Sequence, residues 1–238
     1  MAPRSRKGKP VKYNPKVRGR NLERRKPLRT TGKTILIVCE DAKASPDYFR
    51  KLCLKLSIKT ARVEVRGKEC GSDPKSVVDY ANDIREKANT NSGSDGYDET
   101  FCVIDIDKHS KKKLNDAKQK ARDNDIKLII SNPCFEYWYV LHFKKTGSAY
   151  NHHRDAQKEF RDILRKIYKD RHYKYDKSGC HFFDTIYPKT RTAIKNSRSI
   201  LKSQHKNETD LSKCNPSTHV HQIVECMIEM AKINNTFI

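Results

Sequence analysis

The stretch from Phe101 to His109 constrains the fold more than any other part of the chain. It is an apolar run that stops abruptly at two carboxylates, Asp105 and Asp107, which stand one residue apart. An unbroken apolar run of this length predicts a buried parallel strand, and the ligands of open α/β sheets gather at the carboxyl ends of such strands. Because residues i and i+2 of a strand point to the same face, both carboxylates are able to converge on one bound cation.

Strand and helix patterns alternate along the chain as far as residue 146. This alternation indicates βαβ units and an α/β fold with a mainly parallel sheet flanked by helices. From residue 147 onwards the strand signals vanish, so we expect a helical extension over 147–238 that packs on an α/β domain over 34–146. The predicted strands are 34–39, 61–65, 101–105 and 126–131; the predicted helices begin at Ser45-Pro46 and Asp73-Pro74 and continue at 111–124, 134–143 (capped by Asn132-Pro133), 154–169, 188–204 and 217–232.

The charge of the chain points to a polyanionic partner. The formal net charge is +22 over 238 residues, and residues 1–33 hold thirteen Lys or Arg side chains against the single Glu23. This first segment also contains four prolines and few apolar side chains, so we expect a basic tail that is disordered in isolation. The remainder is net positive as well, which favours nucleic acid as the partner over the alternative of a basic protein that is merely soluble or ribosome-like.

Membrane and cysteine patterns indicate a cytoplasmic protein. No apolar run approaches the roughly 18 residues that a transmembrane helix needs, and the N-terminus lacks the apolar centre of a secretory signal, so no membrane partner is expected. The eight cysteines are scattered without a C-x-x-C pair, which predicts buried thiols in a reducing compartment. A zinc cluster of Cys180, His181 and His172 is the alternative, but its spacing fits no recurrent ligand pattern.

Two further carboxylates share the position of the aspartate pair. Glu40 follows the strand over 34–39, and Glu136 follows the strand over 126–131, one turn into the next helix. Several carboxylates at one sheet edge of a basic protein predict a hard cation, Mg²⁺ or Mn²⁺, with Glu40, Asp105 and Asp107 as its ligands. The chemistry that follows is metal-assisted cleavage of a phosphodiester, in which Glu40 is a ligand or a general acid or base and Glu136 is an auxiliary acidic residue.

Simpler readings exist for each of these residues. A strand-end carboxylate taken alone is often a solvated loop residue or a cap, and Glu136 in a first helical turn suits the helix dipole whatever else it does. Asp105 as nucleophile and Asp107 as acid would describe a phosphatase-like hydrolase instead. Four basic residues near the site are candidates for contact with nucleic acid, although His109 is equally able to move a proton: Lys43, Lys108, His109 and Lys111. The stretch from Tyr168 to Tyr187, rich in Lys, His and Tyr, predicts a loop that faces the ligand or a partner.

These residues resemble a known family. Glu40 with Asp105-x-Asp107 resembles the TOPRIM domain of topoisomerases, primases, OLD-type nucleases and small RNA-processing nucleases, where a glutamate and a D-x-D pair bind Mg²⁺. The longer motifs resemble the RloB family over about residues 33–230. These motifs are Ile37-Val38-Cys39-Glu40 with Pro46-Asp47-Tyr48-Phe49, Asp105-x-Asp107-x-His109, Ser131-Asn132-Pro133-Cys134-Phe135-Glu136 continuing through Trp138 and Leu141-His142-Phe143, and Asn215-Pro216-Ser217-Thr218 with Val220.

The resemblance implies a TOPRIM-like (Rossmann-like) fold and a prokaryotic anti-phage role. It further implies a nuclease effector, similar to abortive-infection components, that acts beside an ABC-type ATPase; a homo-oligomer is compatible with it. Asp41 and Ala42 stand where the family commonly has a glycine and a further glutamate, and Ile106 and Lys108 replace its usual arginine and glutamate. These departures are compatible with altered substrate preference or weaker catalysis. The competing class is a non-catalytic nucleic-acid-binding subunit of a defence complex.

Overall fold

The carboxyl ends of four parallel strands form one edge of the structure, and everything else is arranged around that sheet. In the computed structural model the described residues are 32–59, 63–67, 69–71, 73–90, 96–106, 109–204 and 213–235. The predicted basic tail therefore lies outside them, apart from its last two residues. The strands of the described residues are β1 (Ile35–Cys39), β2 (Val63–Arg66), β3 (Glu99–Asp105), β4 (Lys127–Asn132) and β5 (Ser217–Thr218).

The sheet has the order β2-β1-β3-β4-β5, with parallel pairing throughout except for the antiparallel β4–β5 pair. The helices are α1 (Ala44–Lys55), α2 (Pro74–Thr90), α3 (Lys111–Asp123), α4 (Glu136–Val140), α5 (His153–Tyr168), α6 (Phe183–Ile186), α7 (Thr190–Gln204) and α8 (His221–Asn235), with a 3₁₀ turn at Tyr187–Lys189. An α/β fold with a mainly parallel sheet flanked by helices is thus confirmed.

The two faces of the sheet bury different sets of side chains. Alternate residues of β1 point to opposite faces, and all five are buried, as expected of a central strand covered on both sides. Ile35 and Ile37 face a large cluster that includes α1, α4, α5, α7 and α8. Leu36 and Val38 face a smaller cluster built from α2 and α3. Because parallel crossovers are right-handed, a chain that moves from β1 to β2 and later to the other side of β1 leaves its helices on opposite faces.

The region after residue 147 shares the larger core with the α/β part. Phe160 of α5 and Ile223 of α8 belong to the same buried cluster as Phe101 of β3. This region also supplies β5, which the prediction of a wholly helical extension did not include. Two residues are too few to show an alternating pattern, and β5 is held by pairing with β4 and by the Ser131–Thr218 hydroxyl contact at 2.8 Å. As a result α8 begins at His221 instead of residue 217.

The apolar segment over 134–143 differs from its prediction. Only Glu136–Val140 is helical, and Asn132, expected to cap this helix, is the last residue of β4 and pairs with Ser217. Every side chain of α4 is buried, so no polar face defines a helical period. The helix ends where the Asn196 amide donates a hydrogen bond to the carbonyl of Leu141 at 2.9 Å.

All eight cysteines are free and buried, as predicted. Among the described residues no helix combines the length and the apolar character that a membrane crossing requires.

Candidate active site

Two of the predicted carboxylates, Glu40 and Asp105, lie where the strand order changes direction. Strand β1 lies between β2 and β3, and Cys39 at its end is in register with Val103. Connections leave β1 and β3 towards opposite faces, so a crevice opens between their carboxyl ends, which is where ligands bind in open α/β sheets. Glu40 follows β1 directly and its amide donates to the carbonyl of Val103 at 2.9 Å, while Asp105 is the last residue of β3.

Glu40 is fixed on both of its oxygens. Its Oε2 accepts a hydrogen bond from the backbone amide of Asp105 at 3.2 Å, and its Oε1 lies 2.9 Å from Nε2 of His109. The side chains of Glu40 and His109 are only 8 % and 7 % exposed. A carboxylate at this depth needs such partners, because burial without them would cost several kcal/mol. The Glu40 side chain therefore reaches the backbone of Asp105 at the end of the neighbouring strand.

His109, four residues after the end of β3, is positioned by backbone hydrogen bonds. The amide of Ile106 donates to the carbonyl of Ser131 at 2.9 Å, and the amide of His109 donates to the carbonyl of Ile106 at 3.0 Å. Asp107 and Lys108, predicted as a metal ligand and a nucleic-acid contact, lie outside the described residues. The His109 ring is turned onto a carboxylate, a placement that suits proton handling better than contact with phosphate.

The turn after Glu40 is closed by Asp41. Its carboxylate accepts hydrogen bonds from the amides of Lys43 at 2.9 Å and Ser45 at 3.2 Å, and from the Ser45 hydroxyl. These bonds tie the end of β1 to the first turn of α1. Gly67 passes close to this turn: a Cβ there would lie 2.8 Å from the Asp41 carbonyl oxygen and 2.8 Å from Pro46 Cγ, so a side chain would not fit without movement.

Glu136 occupies a second, separate position at the same edge. It is 1 % exposed and is the first residue of α4. Its Oε1 accepts hydrogen bonds from the ammonium of Lys177 at 2.8 Å and from the hydroxyl of Tyr175 at 3.5 Å, both from the loop after α5. Burial alone would lower the pKa of Lys177, but the charge and hydrogen bond of Glu136 raise it above its ordinary value.

Asp105 and Glu136 lie within electrostatic reach of each other. The thiol of Cys134 has a raised pKa, chiefly because of its burial and further because of the charges of Glu136 and Asp105. The charge of Asp105 likewise contributes to the raised pKa of Lys177. Lys177 therefore contacts Glu136 directly and is also influenced by the charge of Asp105. The sequence pattern did not single it out, because its only signal is membership in a basic, tyrosine-rich loop.

The remaining predicted contacts to nucleic acid lie around the crevice. Lys43 is exposed in the turn between Glu40 and α1, and Lys111 is exposed at the first residue of α3. Both positions leave the ammonium groups accessible beside the strand ends. Their role as phosphate contacts stays a prediction.

The donor atoms near the crevice fit a hard cation in type. Glu40 and Asp105 supply carboxylate oxygens from adjacent strand ends, which is the ligand chemistry that Mg²⁺ and Mn²⁺ prefer. Within the described part of the chain, which omits Asp107, no group of three or more His, Cys, Asp or Glu side chains has the arrangement of a metal site. A complete metal site would therefore depend on Asp107, the third predicted ligand.

Fold and site together define a class: an α/β protein with acidic side chains at the switch point of a parallel sheet. Residues 35–227 match the family model of RloB-like proteins, which covers most of the chain. The chain therefore belongs to the RloB-like protein family. Searches of curated proteins and of solved structures each returned no significant match.

Proposed function

We propose that this chain is a nuclease that hydrolyses phosphodiester bonds of RNA or DNA and depends on Mg²⁺ or Mn²⁺. The observation that supports it is the carboxylate of Glu40, held 3.2 Å from the amide of Asp105 where β1 and β3 end side by side. A net charge of +22 would attract the polyanionic substrate to this acidic crevice.

Glu40, Asp105 and Asp107 are the residues that would hold the ion. A bound Mg²⁺ supplies neutralisation of charge on the phosphate and a more acidic water. Glu40 acts as general acid or base, and His109 keeps its carboxylate oriented through the contact at 2.9 Å. Glu136 acts indirectly in this scheme, since its own charge is matched by Lys177 at 2.8 Å.

The wider role proposed for this nuclease is that of a cytoplasmic effector in prokaryotic anti-phage defence, with an ABC-type ATPase as its partner. Membership of the RloB-like family supports it.

A second candidate is a nucleic-acid-binding subunit without catalysis. The engagement of both Glu40 oxygens by His109 and the Asp105 amide favours it, because a carboxylate that serves only to order two loops would have the same contacts.

A cleavage assay separates these two functions. The full chain is incubated with labelled tRNA, rRNA and plasmid DNA, with Mg²⁺ or with EDTA, beside Glu40→Gln and Asp105→Asn. Asp83→Asn is the matched control, because Asp83 is an exposed acid in the middle of α2, away from the start of that helix after the carboxyl end of β2. The nuclease proposal requires Mg²⁺-dependent cleavage that the first two substitutions abolish and the control retains. Cleavage that survives in Asp105→Asn would reject it.

A further inference from the structure

A dense run of basic and tyrosine side chains connects α5 to the candidate site. Residues 165–177, called here the basic-tyrosine segment, contain six Lys or Arg, three Tyr and two Asp. It begins in the last turn of α5 and ends at Lys177, whose ammonium lies 2.8 Å from Oε1 of Glu136. The segment therefore leads from the surface of α5 directly to the carboxyl edge of the sheet.

Two positive charges of this segment are paired with acids, Lys177 with Glu136 at 2.8 Å and Arg165 with Asp162 at 3.5 Å, whereas the other four are exposed. Asp170 and Asp176 use their carboxylates to accept backbone amides, of His172 and Ser178, each at 2.8 Å. Lys169, Arg171 and Lys174 are exposed and have no ion pair among the described residues. Cations that the fold does not pair with acids are available to phosphates of a ligand.

The inner side of the segment is anchored to the core, so the charges point outward from a supported surface. The ring of Tyr175 packs against Phe160 and Phe182, with ring centroids 5.5 Å and 5.7 Å away. The guanidinium of Arg165 donates from Nε to the carbonyl of Tyr173 at 3.0 Å. A surface held in this way loses little conformational freedom when a ligand binds.

Tyr168 presents an aromatic ring on the same surface. It is 39 % exposed, one of the few large apolar side chains exposed to this extent in the described chain. Its ring lies 5.0 Å from that of Tyr173, and its hydroxyl is 2.8 Å from the hydroxyl of Thr185. A ring fixed at its edge and accessible on one side is able to stack on a nucleobase.

We infer that the basic-tyrosine segment is the surface on which a single-stranded nucleic acid lies as it enters the candidate site. Lys169, Arg171 and Lys174 contact its phosphates, and Tyr168 stacks on one of its bases. A single strand is required because the bases of a duplex are stacked on each other and do not offer a face to tyrosine. The inference rests on the proposed function and adds to it the substrate class and the route by which the strand arrives.

Binding is tested without catalysis. Fluorescence anisotropy of the full chain in EDTA is recorded over a range of salt concentrations, with labelled single-stranded RNA and DNA and with the corresponding duplexes. Oligonucleotides of about 20 nucleotides exceed the site of a typical single-strand-binding domain. The triple variant Lys169→Ala/Arg171→Ala/Lys174→Ala is expected to bind single strands more weakly and to reduce the slope of log K against log salt by roughly 2, since each lost phosphate contact contributes about 0.7.

The matched control is Lys75→Ala/Lys87→Ala/Arg122→Ala, which removes the same charge from α2 and α3 on the other face of the sheet. It should retain the affinity and slope of the parent. Tyr168→Leu should weaken single-strand binding about 5- to 150-fold, whereas Tyr168→Phe keeps the ring and should bind like the parent. Equal loss in Phe and Leu would mean that the hydroxyl contact, not stacking, is responsible, and would overturn the stacking role.

Duplex binding that falls as much as single-strand binding in the charge triple, or equal loss in the control triple, overturns the inference. Comparison of RNA with DNA shows which sugar the surface prefers. Tighter binding of either single strand than of the corresponding duplex supports the inference. Failure of the proposed function would be seen separately, as absence of Mg²⁺-dependent cleavage by a parent that still binds single strands through this segment. If the parent cleaves and the triple variant binds single strands as tightly as the parent, the proposed binding surface is wrong and the proposed nuclease function is retained.

Discussion

Two buried carboxylates at the same sheet edge, those of Glu40 and Glu136, contact different partners. Glu40 contacts the Asp105 amide and the imidazole of His109, whereas Glu136 contacts the ammonium of Lys177 and the hydroxyl of Tyr175. The Lys177 ammonium remains charged, because burial alone would lower its pKa but the charge and hydrogen bond of Glu136 raise it. The charge at Glu136 is therefore compensated by the protein itself. The charge around Glu40 and Asp105 is the one that a bound cation would compensate.

This difference indicates different roles for two groups of residues. The first corner is Glu40 with Asp105 and His109, and the second corner is Glu136 with Lys177 and Tyr175. The corner of Glu40 lies at the β1–β3 crevice and is suited to chemistry on a ligand. The corner of Glu136 joins α4 to the loop after α5 and is suited to holding Lys177 in place. If substitutions at the two corners reduced the cleavage rate equally, this distinction would be wrong.

The largest expected effect is on catalysis at the first corner. Glu40→Gln keeps the shape of the side chain and an oxygen that accepts from the Asp105 amide, but it removes the charge and the acid–base function. We expect Mg²⁺-dependent cleavage to fall roughly 10²–10⁴-fold, the usual contribution of a general acid or base. Glu136→Gln should lose far less. The measurement is the initial rate of cleavage of the best substrate of the assay described above.

Thermal unfolding of the same variants shows whether a loss of rate reflects a loss of fold. Glu40→Gln should melt within a few degrees of the parent. If both substitutions reduce the rate equally while the fold is retained, the two corners act as one site.

A buried imidazole without a carboxylate extends the comparison. Burial lowers the pKa of His142 to about 4, although hydrogen bonds with the Trp138 and Tyr139 carbonyls oppose this shift. Between pH 6.5 and about 4 the unfolded chain takes up a proton that the folded His142 does not, so the free energy of unfolding decreases as pH falls, by about 3 kcal/mol at the lower end.

Urea unfolding at pH 7, 5 and 4 measures this loss. His142→Gln should lower the free energy of unfolding at pH 7 but make it less dependent on pH through this window. An unchanged dependence on pH would show that His142 does not contribute to acid unfolding.

The strands and their carboxylates could be predicted from the sequence because their signals are local. The run that ends at Cys39 and the run that ends at Asp105 are buried strands, and the acids that follow them meet because the strands are neighbours. The partners of those acids were not predictable in the same way. Lys177 is separated from Glu136 by 41 positions, and only the folding of the loop onto α4 brings them together.

Burial on all sides limited the prediction elsewhere. In the segment that contains α4 every helical side chain is buried, so apolar character alone did not distinguish one turn and a half of helix from a long one. The strand β5 was hidden for the opposite reason. Its two residues, Ser217 and Thr218, are polar, and their place in the sheet depends on pairing with Ser131 and Asn132 at the end of β4.

The next effect concerns stability at the second corner. Lys177→Met leaves Glu136 buried beside Tyr175 without a cation, so we expect the free energy of unfolding to fall by about 2 kcal/mol, less than for a fully buried pair because Lys177 is 47 % exposed. Urea unfolding at pH 7 measures the change. Lys174→Met is the matched control, since Lys174 is exposed in the same segment. The double variant Glu136→Gln/Lys177→Met should recover most of the loss; if it is the sum of the single losses, the pair is not coupled.

The smallest expected effect locates the cation. A ligand that binds only the folded chain stabilises it by about 1.4 kcal/mol at ten times its Kd, which for a chain of this size raises Tm by roughly 3–6 °C. Differential scanning fluorimetry with Mg²⁺, and again after EDTA, should show this rise in the parent and in Glu136→Gln but not in Asp105→Asn. The corner with Lys177 already contains its positive charge, so removing its carboxylate should not weaken Mg²⁺ binding. A rise that survives in Asp105→Asn and disappears in Glu136→Gln would place the cation at Glu136 and reverse the roles of the two corners.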